Sequence, residues 1–444
     1  MPGEPTAPGP GSGGPHSSRL DPWIDQYAAR TQGLAASQVR ALFAVASRPE
    51  VVSLAGGMPY VAALPLEQLA EIAARVVKDR GNAALQYGSG QGDPRLREQI
   101  LQVMAPAGIH ARPDDVVVTA GSQLALDLVV RVFCDPGDVV LAEAPTYVTA
   151  LSVFSSYQCD VVQVAMDSEG LVPQALREAI DLVRRQGKTI KLVYSIPSFH
   201  NPAGVTQGPA RRAEILDVVR SAGLLLLEDD PYGLLGFDGS VPRAIRSDDS
   251  DGVLYLGTFS KTIASGLRVG WVVAPHGVRE KLVLANETAM LCPSSYSQLT
   301  VSEYLATGAF FDQVKTFREL YRERRDALLE SLTALMPPGT TWTEPAGGFY
   351  SWVTLPPGLD ATAMLPRAVA ALVAYVPGTG FFADGQGGGQ LRLSYCFPDP
   401  ERIREGVRRL AGVVEAELDL QDTFGDTLTN MRPFRPTGPT PDMV

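Results

Sequence analysis

Between residues 115 and 274 the chain alternates short apolar runs with longer stretches whose apolar residues recur every three or four positions. The runs are "DVVVTA" (115–120), "DVVLAE" (138–143), "DVVQVAM" (160–166), "IKLVYSIP" (190–197), "GLLLLED" (223–229), "GVLYLGTF" (252–259) and "RVGWVVA" (268–274). Several are apolar at consecutive positions, as strands are when helices cover both faces of their sheet. Helical periods fall between them, at 122–133 and 209–221 for example. Strand and helix in alternation predict a three-layer α/β/α domain.

After residue 310 the pattern changes. "FDQVKTFRELYRERRDALLESLTALM" predicts one long, highly charged amphipathic helix. "GGFYSWVTLP", a helical segment near 361–373, "LRLSYCF" and a last helix from about 399 to 418 follow, which predicts a smaller α+β unit. Residues 20–84 are mixed in pattern and are expected to fold against that unit. The expected organisation is a tail (1–19), an N-terminal arm with part of the small domain (20–84), a large domain (85–310), the rest of the small domain (311–418) and a second tail (419–444). The tails are assigned on composition: "MPGEPTAPGPGSGGPHSS" and "RPFRPTGPTPDMV" are too rich in Pro, Gly and polar residues to bury a core.

Composition narrows the function. Hydrophobic residues make up 45% and charged residues 20% of the 444-residue chain, an ordinary globular balance. The net charge is −11 with no Lys/Arg-rich run, which argues against a nucleic-acid or anionic-membrane surface. The four cysteines (Cys134, Cys159, Cys292, Cys396) lack CxxC spacing and, with four scattered histidines, suggest neither a zinc site nor a disulfide scaffold. No signal-peptide pattern opens the chain, and no apolar run reaches the roughly 20 residues of a membrane span. A cytosolic protein with reduced thiols is the expectation.

Four short segments carry candidate chemistry. In "GSQLALDLVVRVF", Gly121, Ser122 and Gln123 leave a strand and open a helix. The unpaired N–H groups and positive dipole end there suit a phosphate, and Ser122 equally suits a plain N-cap. In "LLLLEDDPYGLLGF", Asp229 ends an apolar strand, the position where α/β sheets bind ligands, although Asp-Asp-Pro is also good turn chemistry. "IPSFHNPAGVTQ" sets Asn201 in a loop after a strand, beside a His200 with no partner nearby in sequence. "GTFSKTIASGLRVGW" holds a single lysine, Lys261, among the hydroxyls of Thr258, Ser260 and Thr262, with Arg268 seven residues on. A lysine there can form a Schiff base with a carbonyl, or simply snorkel to solvent.

The set is more specific than its parts. Pyridoxal phosphate needs an amine to capture its aldehyde, a carboxylate on its pyridinium nitrogen, a donor to its 3′-oxygen and a phosphate cup. With "SKTIASGLRVGW", "EDDPYG", "NPAG" and "GSQ" in this arrangement, the chain resembles the fold type I pyridoxal-phosphate enzymes of the class I/II aminotransferase family. It is most similar to the branch of 2-aminoadipate and aromatic aminotransferases, from about residue 20 to 418.

The resemblance implies a cofactor, a reaction and residue roles. Lys261 would hold pyridoxal 5′-phosphate and, once released, act as the proton-moving base. Asp229 would pair with the pyridinium nitrogen, and Tyr232 and Asn201 with the 3′-oxygen. Tyr147 would stack on the ring. Ser122, Gln123, Thr258 or Ser260, and Arg268 would hold the phosphate. Arg392, in "GGGQLRLSYCF", would bind the substrate α-carboxylate; as a strand residue between Leu391 and Leu393 its side chain should point away from theirs. Gly57, in "LAGGMPYVAALP", would belong to a segment that closes over substrate, with Asn201 also touching it. Tyr87, in "LQYGSGQGDPRLREQI", would cross to the neighbouring subunit's phosphate in a homodimer with shared sites. The implied reaction moves an amino group from an L-amino acid to a 2-oxo acid such as 2-oxoglutarate, in ping-pong fashion. A lyase, decarboxylase or oxidase on the same scaffold, or an aminotransferase-like regulator, are the alternatives. Substrate choice is not written in these motifs: Arg19, Arg30, Arg40 and Arg48 are the arginines of the arm available to a side-chain carboxylate.

Overall fold

The computed structural model describes residues 23–31 and 48–429. The tail at 1–19, the last residues of the C-terminal tail, and Arg19 and Arg40 lie outside the described residues.

A short strand, β1 (Val52–Ser53), precedes the large sheet. That sheet contains β2 (Val116–Thr119), β3 (Val139–Ala144), β4 (Asp160–Asp167), β5 (Gly170–Leu171), β6 (Ile190–Ser195), β7 (Leu225–Asp229), β8 (Val253–Thr258) and β9 (Gly270–Val273). Each apolar run read from the sequence is one of these strands; only the two-residue β5 had no apolar run to announce it. The order across the sheet is β2-β9-β8-β7-β6-β3-β4-β5. β8, β7, β6, β3 and β4 are parallel to one another, and antiparallel β9 joins β2 to β8.

Alternate residues of the central strands feed two separate cores, which is why the runs are apolar without alternation. On one face Val140, Ala142, Leu192, Tyr194 and Leu227 meet Leu126 and Val129 of the helix Ser122–Phe133 and Phe154 of Val148–Ser156. On the other, Val139, Leu141, Val193 and Leu226 meet Leu176 and Ile180 of Pro173–Arg185 and Ile215 and Leu216 of Pro209–Ser221. The consequence for function is positional. The C-terminal ends of the parallel strands share one sheet edge, where open α/β sheets bind ligands. Ser122 and Gln123 follow β2, Tyr147 follows β3, Asn201 follows β6, Asp229 ends β7 and Lys261 follows β8.

The smaller unit has β10 (Thr341–Trp342), β11 (Tyr350–Thr354), β12 (Val373–Ala374), β13 (Val376–Pro377) and β14 (Gln390–Ser394). β10, β11, β14 and β13 form an antiparallel sheet in that order, and β12 pairs with β1 in parallel. Helices Phe310–Leu335, Ala361–Ala370 and Pro400–Thr429 pack around them. The last helix runs to Thr429, well beyond the end near 418 that composition suggests.

Residues 48–84 divide their packing, whereas the sequence pattern led us to expect the whole segment against the small unit. Val52 and Leu54 do enter its core. The helix Leu66–Ala84 instead puts Ile72 and Val76 into the large-domain core with Leu299 and Val301. Its apolar stripe fits either partner, so only the tertiary arrangement decides. The helix Phe310–Leu335 spans both: Phe310 and Val314 join the large-domain core, and Phe317, Tyr321 and Leu328 the small one.

Candidate active site

A cavity of about 380 Å³ opens where the sheet edge meets the small unit. Every site residue proposed from the sequence lines it except Tyr87: Gly57, Ser122, Gln123, Tyr147, Asn201, Asp229, Tyr232, Thr258, Ser260, Lys261, Arg268 and Arg392.

Lys261 sits in the turn that follows β8. Its Nζ donates to the Gly57 carbonyl at 2.9 Å and stands 5.6 Å from the Phe349 ring centroid. Burial, with Arg392 and Arg268 nearby, pulls its pKa down to about 8, against opposing pulls from Cys396 and Asp229. At pH 7 about 10% of such an amine is neutral, against roughly 0.03% for an ordinary lysine. Apoenzyme should therefore capture the aldehyde of pyridoxal phosphate at a rate that rises with pH to a plateau above a midpoint near 8. Stopped-flow absorbance across that range checks this; a rate still climbing tenfold per pH unit toward the ordinary lysine range would contradict it.

Strand alternation separates the three carboxylates that end β7. Glu228 accepts from the backbone N–H groups of Ile245 and Arg246, and Asp230 from Gly233 N–H and the Tyr255 hydroxyl. Only Asp229 reaches the cavity. Its Oδ2 accepts from the Tyr194 hydroxyl at 2.7 Å, while Oδ1 is buried with no partner. Burial pushes the Asp229 pKa up to about 7; the Tyr194 bond and Lys261 lower it, and Asp230 and Glu143 raise it. A buried carboxylate oxygen with no donor is unfavourable by about 1–3 kcal/mol or more, so the site is built for a cationic donor.

The same cavity holds an anion cradle. Gly121, not Ser122, caps the helix Ser122–Phe133, and no side chain bonds its first N–H groups. That settles the N-cap alternative for Ser122 and leaves those donors free. Gly121 has φ 81°, and a Cβ there would stand 2.5 Å from Arg268 Nη2, so only glycine lets the guanidinium approach the helix end. Arg268 itself is left-handed, with φ 52° and ψ 52°. That conformation costs a non-glycine residue about 1–2 kcal/mol. Its Nη2 donates to the Ala120 carbonyl at 3.1 Å and Nη1 to Ser260 Oγ at 3.4 Å, and the Thr258 hydroxyl lies 2.9 Å from Ser260 Oγ.

Arg392 extends from β14, away from Leu391 and Leu393, which are fully buried in the small-unit core. Nη1 donates to Asn201 Oδ1 at 2.9 Å and Nη2 to the Ala55 carbonyl at 2.8 Å, leaving Nε buried without a partner. The guanidinium lies over the Tyr350 ring at 4.1 Å. Tyr350 also approaches the Tyr232 hydroxyl at 3.4 Å, and its own hydroxyl fills the space a Cβ on Gly57 would need.

Several residues differ from the sequence reading or were missed by it. Tyr87 is 75% exposed and reaches no cavity residue of its own chain. His200 is structural: its Nδ1 accepts from Ala203 N–H, so Nε2 carries the proton it gives Glu143 at 3.0 Å. Of the arm's arginines, Arg30 and Arg48 are exposed and do not line the cavity. Tyr350 and Tyr194 escaped notice; the available signal was a tyrosine hydroxyl inside an otherwise buried strand, which requires a partner.

The residues fit pyridoxal phosphate on the structure's own terms: an orphan carboxylate oxygen for a ring N–H, an unfilled helix N-terminus beside Arg268, and an amine of lowered pKa on the same cavity. Comparison with known proteins agrees. Residues 49–410 match the profile of aminotransferase class I and II. An aromatic-amino-acid aminotransferase of Thermococcus litoralis is 40% identical, over 88% of this chain and 94% of its own. A 2-aminoadipate transaminase of Thermus thermophilus is 38% identical, over 90% and 98%. The crystal structure of a Pyrococcus horikoshii kynurenine aminotransferase, with the amine form of the cofactor, substrates and products, superimposes with a TM-score of 0.86 at 38% identity, covering 90% of this chain and all of that one. The chain belongs to the class I and II aminotransferases, enzymes that transfer amino groups with pyridoxal phosphate.

Proposed function

We propose that this aminotransferase takes the amino group of an L-amino acid and passes it to a 2-oxo acid such as 2-oxoglutarate, in two half-reactions of a ping-pong cycle. The observation that carries the reading is the buried, partnerless Oδ1 of Asp229, a residue that lines the same cavity as Lys261, Arg268 and Arg392. When bound, pyridoxal phosphate supplies an electrophilic aldehyde and an electron sink. The protein does the rest. Arg268, Ser260, Thr258 and the N–H groups of Ser122 and Gln123 hold the phosphate. Tyr147 covers the ring face, and Tyr232 with Asn201 donates to the 3′-oxygen. Asp229 keeps the ring nitrogen protonated. Arg392 binds the substrate carboxylate with the planar fork that suits two oxygens. Lys261 Nζ then removes the proton from the substrate Cα.

An amino-donor panel, read by formation of each 2-oxo acid with 2-oxoglutarate as acceptor, tests the reaction and ranks substrates. No 2-oxo acid from any donor would reject it. The names of the relatives support aromatic and aminoadipate donors as the first to try. Arg392→Lys should raise KM for every donor and acceptor by roughly tenfold or more, since each loses a two-pronged carboxylate contact worth about 1.5–3 kcal/mol. A defect confined to one substrate would instead assign Arg392 to a side chain.

We further read the enzyme as a two-fold dimer that shares its sites, located in the cytosol. The four cysteines are free, which fits a reducing compartment. Tyr87 supports the dimer: a large apolar ring 75% exposed, beside the Gly-rich "YGSGQG", is suited to burial by a partner. Mixing inactive Lys261→Ala with inactive Tyr87→Ala and allowing subunit exchange should restore partial activity. Each heterodimer then has one site with both defects and one with neither. Proven heterodimers without activity would mean that Tyr87 acts within its own chain or not at all.

A further inference from the structure

We infer that Tyr194 is a positioning residue for the cofactor's ring nitrogen: its hydroxyl, 2.7 Å from Asp229 Oδ2, fixes the carboxylate and leaves Oδ1, buried and partnerless, as the oxygen free to take a donor. The inference rests on the reading of Asp229 as the partner of that nitrogen. Tyr194 lies on β6, the strand beside β7, opposite Leu227. Tyr194, Leu227 and Asp229 therefore share one face of the sheet. The tyrosine is fully buried, and Phe154 packs edge-on against its ring at 5.5 Å. The phenol is thus held by packing before any ligand arrives. Among the described residues its hydroxyl is the one side-chain donor that Asp229 has.

The geometry matters because a carboxylate turns easily about its last bond. With Oδ2 pinned, Oδ1 keeps one direction; with Oδ2 released, either oxygen can turn toward the backbone or toward other donors. Charge matters too. Burial above all, with Asp230 and Glu143, disfavours the ionised form of Asp229, and the Tyr194 hydrogen bond and Lys261 favour it. Tyr147, which also lines the cavity, feels the charge of the same carboxylate. Losing the Tyr194 hydroxyl removes one of the two favourable contributions and leaves all three unfavourable ones, burial, Asp230 and Glu143. The neutral carboxyl then persists to higher pH, and a neutral carboxyl does not pair with a protonated ring nitrogen.

Binding of pyridoxamine phosphate to apoenzyme tests this without Lys261 chemistry, because an amine cannot condense with the lysine. Intrinsic fluorescence would be followed across about pH 6 to 9, the range bracketing the titrations involved. Wild-type affinity should fall as pH drops through the Asp229 transition. Tyr194→Phe should move that midpoint up by about one pH unit and weaken binding about tenfold at neutral pH, with the gap closing at the alkaline end. Site-specific 3-fluorotyrosine at position 194, a stronger donor of nearly the same shape, should move the midpoint down. Asp229→Asn should abolish the transition. A wild-type midpoint in both Tyr194 variants, with the transition absent in Asp229→Asn, would overturn the inference and leave Asp229 in place. A wild-type profile in Asp229→Asn would overturn the reading of Asp229 itself. Should Tyr194→Phe fold poorly, the fluorotyrosine variant still decides, since a packing role alone would not move the midpoint.

Discussion

Lys261→Ala is expected to lower turnover by at least about 10⁴-fold. General-base catalysis by a placed side chain is worth about 10²–10⁴-fold, and this variant also loses the covalent hold on the cofactor. Alanine should leave the fold intact, because Nζ makes one hydrogen bond, to the Gly57 carbonyl, and one ring contact, 5.6 Å from the Phe349 centroid. Borohydride should fix pyridoxal phosphate irreversibly to the wild-type chain. Peptide mapping should find the label on Lys261, with no label in the variant. Label on another lysine, or appreciable turnover by Lys261→Ala, would reject the assignment. The surroundings of the amine sharpen the expectation. Burial first, then Arg392 and Arg268, lowers the Lys261 pKa to about 8, so an ordinary surface lysine holds far less neutral amine at neutral pH.

Asp229→Asn should retain cofactor yet lose about a hundredfold or more in kcat, while Asp230→Asn should cost a few-fold at most. An amide in place of the carboxylate can still fill the space beside Tyr194, but it carries no charge to keep a ring nitrogen protonated. One charge-assisted hydrogen bond is worth about 1.5–3 kcal/mol, or roughly 10- to 100-fold, before the lost electron-sink strength is added. Asp230 is different in kind. Its carboxylate holds the turn through Gly233 N–H and the Tyr255 hydroxyl and does not line the cavity. Its replacement should appear mainly as a lower Tm. Steady-state kinetics and thermal melts of both variants separate the two effects. Equal or reversed severities would mean that the carboxylate assignment is wrong.

The three carboxylates also show where sequence reasoning reaches its limit. "LLLLEDDP" ends a strand, and strand alternation alone says that Asp229 faces opposite to Glu228 and Asp230. Which face carries the cavity depends on how β7 sits between β6 and β8, and that is a property of the whole sheet. Lys261, Arg268 and Arg392 were legible because charge is expensive within or between buried apolar strands, so each stands out against its surroundings. Tyr194 and Tyr350 were not, because a tyrosine in a buried strand looks like any other large apolar residue until its hydroxyl partner is seen. His200 shows the converse. Its partner Glu143 lies 57 positions away in the chain, so its structural role could not be read locally.

The sequence by itself determined the sheet's strands, the smaller unit that follows and the residue types of the site, because apolar periodicity and misplaced charge are local signals. Tertiary structure alone decided three things. It took the helix Leu66–Ala84 to the large-domain core, because its stripe fits either neighbour. It made Gly121 rather than Ser122 the cap, because Gly121, at φ 81° and ψ 163°, stands outside helical geometry and Ser122 already inside it. It left Asp229 Oδ1 without a partner, because hydrogen-bond satisfaction is an account of the whole neighbourhood and no stretch of sequence contains it.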